Sequence, residues 1–170
     1  MEVVTRFKMD RRELFGFMSS RVESESEQIS DSIIRPPYND DKSLFYKHCH
    51  ECDGKCATAC EVKIIKILED KTPYLDFKSS GCTFCDDCAD VCEFGVLNIE
   101  SKNDIKVNIN LSMTSCLAWN ETMCFSCKEP CLENAIVFQG LFKPVIDESK
   151  CTACGFCISR CPVFAIDIEA

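Results

Sequence analysis

Sixteen of the 170 residues are cysteine, and they fall into four groups of four. The groups read Cys49-x2-Cys52-x3-Cys56-x3-Cys60, Cys82-x2-Cys85-x2-Cys88-x3-Cys92, Cys116-x7-Cys124-x2-Cys127-x3-Cys131 and Cys151-x2-Cys154-x2-Cys157-x3-Cys161, the last followed by Pro162. Thiolates are soft ligands that suit iron–sulfur clusters. Three of them at i, i+3 and i+6 let one tight loop present three sulfurs to three irons of a single cube. The fourth lies beyond that loop and is carried away from it, toward a neighbouring [4Fe-4S] cluster. The last group matches this bacterial ferredoxin run without deviation, and the second lacks only the proline.

Crossing the ligands in this way predicts four [4Fe-4S] clusters. Their sets are Cys49, Cys52, Cys56 with Cys92; Cys82, Cys85, Cys88 with Cys60; Cys116, Cys124, Cys127 with Cys161; and Cys151, Cys154, Cys157 with Cys131. No cysteine is left over. Structural zinc pairs two C-x2-C knuckles a dozen or more residues apart, which these compact triplets do not resemble. Disulfides need an oxidising compartment. His48 and His50 flank Cys49, and histidine ligates iron in Rieske centres, but with all thiols matched they read as exposed loop residues. Trp119, inside the excursion between Cys116 and Cys124, reads as a packing residue. There is no G-x-G-x-x-G, no P-loop and no serine–histidine–acid set, so no catalytic residue and no small-molecule substrate is assigned. The chain reads as an electron carrier or accessory protein, not an enzyme.

The elements that must hold these thiols are short. Taking the last cysteine of each group as origin, positions four and five are Ile64 and Ile65, Val96 and Leu97, Ala135 and Ile136, and Ala165 and Ile166. This fourfold repeat is a pair of repeats that has itself been doubled. Strands are expected at Ile64–Leu68, Tyr74–Phe77, Val96–Ile99, Val107–Leu111, Ile136–Phe138, Val145–Ile146 and Phe164–Ile168, with turns at Asp70–Pro73 and Gly140–Pro144. Only a helical turn or two fits before each group's last cysteine. The expected fold is α+β: two tandem bacterial ferredoxin-like 2[4Fe-4S] modules, over 42–102 and 103–170, behind a flexible N-terminal tail, 1–41.

Charge separates tail from body. The chain carries −9 in total, yet residues 1–21 hold five basic side chains (Arg6, Lys8, Arg11, Arg12, Arg21) against three acidic. Each oxidised cluster adds +2 of core charge to −4 of thiolate, so a four-cluster holoprotein would approach about −17. Nucleic acid is therefore no partner, and a protein with a basic docking face is. Arg11-Arg12 has a superficial likeness to a twin-arginine export signal, but Phe15-Gly16-Phe17-Met18 gives way at once to polar residues and supplies no apolar stretch. A short amphipathic helix, a partner-docking arm and a retained cytoplasmic protein are the expectation. No run reaches the length of a membrane span.

With Arg11-Arg12, the Arg35-Pro36-Pro37-Tyr38 segment, the third group opening Cys116-Leu117-Ala118-Trp119 with its long gap to Cys124, and the closing Cys161-Pro162-Val163, the chain resembles, nearly end to end, the NapF family of ferredoxin-type proteins from the periplasmic nitrate reductase system. The resemblance implies a cytoplasmic iron–sulfur electron-transfer and assembly factor. Its partner would be the catalytic molybdenum subunit of the nitrate reductase, assisted in maturation or redox poise before export. The alternative is a polyferredoxin wiring subunit of a membrane-associated oxidoreductase complex. The chain departs from the family in the first group, where three residues instead of two separate Cys52 from Cys56, leaving the register of Cys56 open.

Overall fold

Each cysteine group in the computed structural model, which describes residues 33–169, is a loop and a helical or turn segment that delivers the chain into an apolar layer. The first half holds α1 (Ser43–His48), a 3-10 turn (Cys49–Glu51), α2 (Lys55–Ala59), β1 (Ile65–Ile67), β2 (Pro73–Leu75), α3 (Asp87–Asp90) and a second 3-10 turn (Ile99–Ser101). The second half holds β3 (Asn108–Leu111), β4 (Ile136–Gln139), β5 (Phe142–Ile146), α4 (Phe156–Arg160) and β6 (Ile166–Glu169). Three antiparallel pairs form: β1 with β2, β4 with β5, and β3 with β6. No helix among the described residues is long and apolar enough to cross a membrane.

One turn closes all four repeats. The third residue after each last cysteine takes a left-handed backbone: Lys63 at φ 54°, Gly95 at 64°, Asn134 at 50° and Phe164 at 51°. Its N–H donates to the carbonyl of that cysteine, at 3.0, 3.1, 3.2 and 3.3 Å in chain order. The reversal drives the two following apolar residues inward, and all eight of them are buried. Only Gly95 adopts this conformation without a Cβ penalty, and Asn tolerates it; Lys63 and Phe164 are held there by the packing that follows.

The N-terminal boundary needs correction. The tail expected to run to residue 41 is built into the first module from Ile34 onward. Ile34 O accepts from Leu75 N–H at 2.8 Å, and Tyr38 O accepts from Asn98 N–H at 2.8 Å. Arg35 donates to Thr72 Oγ1 (2.8 Å) and Pro73 O (2.6 Å), with its guanidinium 5.0 Å over the Phe45 ring. Residues 1–32, with Arg11, Arg12 and the helix expected beside them, lie outside the described residues.

The same segment explains a strand that does not form. In the second module β3 and β6 pair over four residues, closing the module's ends together. In the first module the corresponding place is taken by Arg35-Pro36-Pro37-Tyr38, whose prolines have no N–H to donate, so Val96–Ile99 gains the Asn98 to Tyr38 bond and no ladder. Tyr38 compensates through its side chain. Its buried hydroxyl donates to Asp86 Oδ1 at 2.7 Å and accepts from Asp86 N–H at 3.2 Å, tying the entry segment to the second cysteine loop. Burial, with Asp86 beside it, raises the Tyr38 pKa. Asp86 is held below the ordinary carboxylate range by the Lys102 ammonium and then by Tyr38, an effect present above the ordinary carboxylate pKa and lost as pH falls through the lowered one. Tyr38→Phe is expected to cost about 1 kcal/mol and lower the melting temperature by a few degrees with iron content unchanged. An unchanged melting temperature would show that the loop is held by other contacts.

Candidate metal centres

Cysteines that are distant in sequence are brought together in fours. Cys60, Cys82, Cys85 and Cys88 line one small apolar cavity. Cys116, Cys124, Cys127 and Cys161 line another. Cys131, Cys151, Cys154 and Cys157 line a third. Cys49, Cys52, Cys56 and Cys92 form the remaining group: the Cys49 and Cys56 thiols both feel Cys52 and Cys92 as close charges. In every set three thiols come from one repeat and the fourth from its partner repeat.

Local backbone geometry explains how irregular groups reach the same arrangement. The extra residue before Cys56 is absorbed at Gly54, which turns left-handed at φ 70° and starts α2. Cys56 thereby falls into the set with Cys49, Cys52 and Cys92. The long excursion after Cys116 is stitched back by Asn120, whose Nδ2 donates to Cys116 O at 2.8 Å and to Thr114 O at 3.1 Å. Trp119 Nε1 donates to Pro144 O at 3.0 Å, and the ring packs beside Cys116, Ala118 and Ala165, in keeping with its reading as a packing residue. His50 is exposed; His48 ends α1, half-buried and stacked on Phe94, not in a loop.

Two contributions escape a reading of the cysteines alone. Pro36, Pro37 and Tyr38 form part of the wall around Cys60, Cys82, Cys85 and Cys88. The signal was the proline pair itself, which fixes an extended segment just where a wall is required. The other is a set of backbone donors to sulfur: Leu97 N–H to Cys92 Sγ (3.3 Å), Ala135 N–H to Cys131 Sγ (3.3 Å) and Ala165 N–H to Cys161 Sγ (3.2 Å). All three acceptors are crossing cysteines, and the donors stand just past the left-handed turn. Hydrogen bonds to ligand sulfur are among the levers that set cluster potential.

The chemistry of the donor set fits a cluster: each set is four soft thiols, and three of the four sets ring apolar cavities. Burial, reinforced by neighbouring thiolates, pushes the thiols of Cys88 and Cys157 up to about 12 and those of Cys49, Cys56, Cys82 and Cys127 up to about 11. A thiol with a raised pKa favours the fold while protonated, an effect present below the ordinary thiol pKa and lost as pH rises through the raised values. At neutral pH these six groups thus stay protonated in the metal-free chain, whereas ligation needs thiolates. Reconstitution with iron and sulfide in weakly buffered solution is therefore expected to release protons from these thiols in addition to those that hydrosulfide gives up on entering the clusters, read with a pH indicator. Release no greater than the incorporated sulfide accounts for would show that the thiols were already ionised.

Residues 48–96 match the 4Fe-4S dicluster domain family, and residues 144–167 match the 4Fe-4S binding domain family. The chain is 33% identical over 140 residues to the ferredoxin-type protein NapF of Escherichia coli (strain K12), covering 80% of this chain and 84% of that protein. The chain belongs to the NapF family of ferredoxin-type proteins. The NapF of Haemophilus influenzae is likewise 33% identical over 140 residues, covering 80% of this chain and 78% of its own length. The methylamine utilization ferredoxin-type protein MauM of Methylophilus methylotrophus is 29% identical over 151 residues, covering 76% of this chain and 66% of its own. Membership of the NapF family makes this an iron–sulfur electron carrier that binds [4Fe-4S] clusters on tandem ferredoxin modules. What the chain supplies is an apolar enclosure, thiolate ligands and N–H donors to sulfur; the cluster, when bound, supplies the one-electron couple.

Proposed function

We propose that the chain is a four-cluster electron-transfer and assembly factor, acting in the cytoplasm on the catalytic molybdenum subunit of a periplasmic nitrate reductase before export. The observation that carries the cluster count is the gathering of all sixteen cysteines into four crossed sets, with none spare. The system and the client are those that membership of the NapF family implies. Each set ligates one [4Fe-4S] cluster, so the holoprotein contains about 16 iron and 16 sulfide per chain. Electrons move between clusters, and no substrate is bound at carbon or oxygen.

Charge determines how the client is met. A chain of −9 with four clusters of net −2 each reaches about −17, so docking is to a basic face and weakens steeply with salt. The test combines genetics and capture. Deleting the gene is expected to leave the nitrate reductase precursor present but deficient in active enzyme, and the tagged holoprotein is expected to capture that precursor at low salt and release it at high salt. Full nitrate reductase activity in the deletion strain, with no capture at low salt, would overturn the proposal.

A further inference from the structure

The two modules meet at their cysteine loops. Cys82 N–H donates to Cys154 O at 2.7 Å. So close a backbone approach depends on two glycines. A Cβ on Gly81 would stand 2.5 Å from Phe156 N and 2.7 Å from Cys154 O. A Cβ on Gly155 would stand 2.2 Å from the Phe77 ring. The arrangement is reciprocal: Phe77 of the first module covers Gly155 of the second, and Phe156 of the second covers Gly81 of the first. Ala153, Ile158 and Ile168 of the second module join the apolar cluster that contains Phe77, so the contact is part of a core.

Cys82 lines one cavity and Cys154 another, so this hydrogen bond runs between the ligand residues of two sites in different modules. The path from sulfur to sulfur is side chain, backbone, one short hydrogen bond, backbone and side chain, with no solvent gap. The other two sites are linked to these inner ones within their own modules, by the crossing cysteines. We propose that the four clusters form one continuous electron path in the order Cys49 site, Cys82 site, Cys151 site, Cys116 site, joined across the modules at the Cys82–Cys154 contact that Gly81 and Gly155 keep closed. The inference rests on the reading of four loaded sites. Each step is a single electron passing from a reduced [4Fe-4S]+ cluster to an oxidised [4Fe-4S]2+ neighbour, which it reduces; no atom moves.

The test uses the reduced holoprotein and low-temperature electron paramagnetic resonance. Iron content is read first: fewer than about 16 iron per chain refutes four loaded sites, independently of their order. At full iron, spin–spin splitting between the Cys82 and Cys151 sites is expected in the wild type. It is isolated in Cys52→Ser/Cys124→Ser, which disables the two end sites and halves the iron. Two simple superposed signals in that variant would overturn the order. Gly155→Ala is expected to retain iron and lose the inter-module splitting. Because Gly155 also holds a left-handed backbone (φ 85°) that alanine strains, the companion is Gly155→Asn/Phe77→Ala, whose asparagine tolerates that backbone and whose missing ring makes room for it, and it is expected to restore the splitting. The same splitting with Gly155→Ala as in the wild type, or none in the companion at full iron, would overturn the role of the contact.

Discussion

Removing iron is expected to abolish the cooperative thermal transition of the folded body altogether. The apolar layers are thin: the second module has two small clusters of buried residues, in which cysteines stand beside Ala118, Ile136, Ala165 and Ile166. The secondary structure is equally slight, with no strand longer than five residues and no helix longer than six among the described residues. Modules of this size seldom reach stability from a hydrophobic core alone. Structural metal in small domains supplies folding energy on the order of 10 kcal/mol, comparable with the whole stability of an ordinary domain. Circular dichroism or calorimetry before and after anaerobic chelation measures this directly. A sharp transition in the iron-free chain would show that the apolar layers suffice.

On the four-cluster reading, Cys161→Ser is expected to remove one cluster, and not the one that its own loop would indicate. Cys161 belongs in sequence to the group of Cys151, Cys154 and Cys157, yet its thiol faces the cavity of Cys116, Cys124 and Cys127. Iron should fall by about a quarter, with the loss assigned spectroscopically to the Cys116 site. The Cys151 site, completed by Cys131, should persist. Selective loss at the Cys151 site would mean that the ligands are not crossed.

Much of this arrangement was legible in the cysteines because a fixed spacing leaves a tight loop few geometries. The apolar pairs at positions four and five after each group pointed to the buried layer, and every one of them is buried. Boundaries fared worse where tertiary contacts overrode local pattern. Arg35-Pro36-Pro37-Tyr38 has the look of a linker, and contacts with residues distant in sequence, Thr72, Pro73, Asp86 and Asn98 among them, make it part of the core. Val96–Ile99 has strand composition but lacks a partner with free N–H groups. The helix α1 was missed because Ser43–His48 offers neither an acidic first turn nor a side-chain cap. The meeting of the modules was hidden for another reason: nothing local distinguishes Gly81 or Gly155 from an ordinary loop glycine until Phe156 and Phe77 are seen against them.

The crossed sets also impose a timetable on biosynthesis. Cys92 follows Cys49 by 43 residues, and Cys161 follows Cys116 by 45. While the chain is being translated, the first site lacks its fourth thiol until the second repeat has left the ribosome. The Cys116 site waits in the same way for the fourth repeat. On the four-cluster reading, the first module can therefore be charged while the second is still being made, and each module receives its two clusters as a pair or holds neither securely. A nascent chain arrested between Cys92 and Cys116 would carry two clusters; one arrested between Cys131 and Cys151 would carry no more.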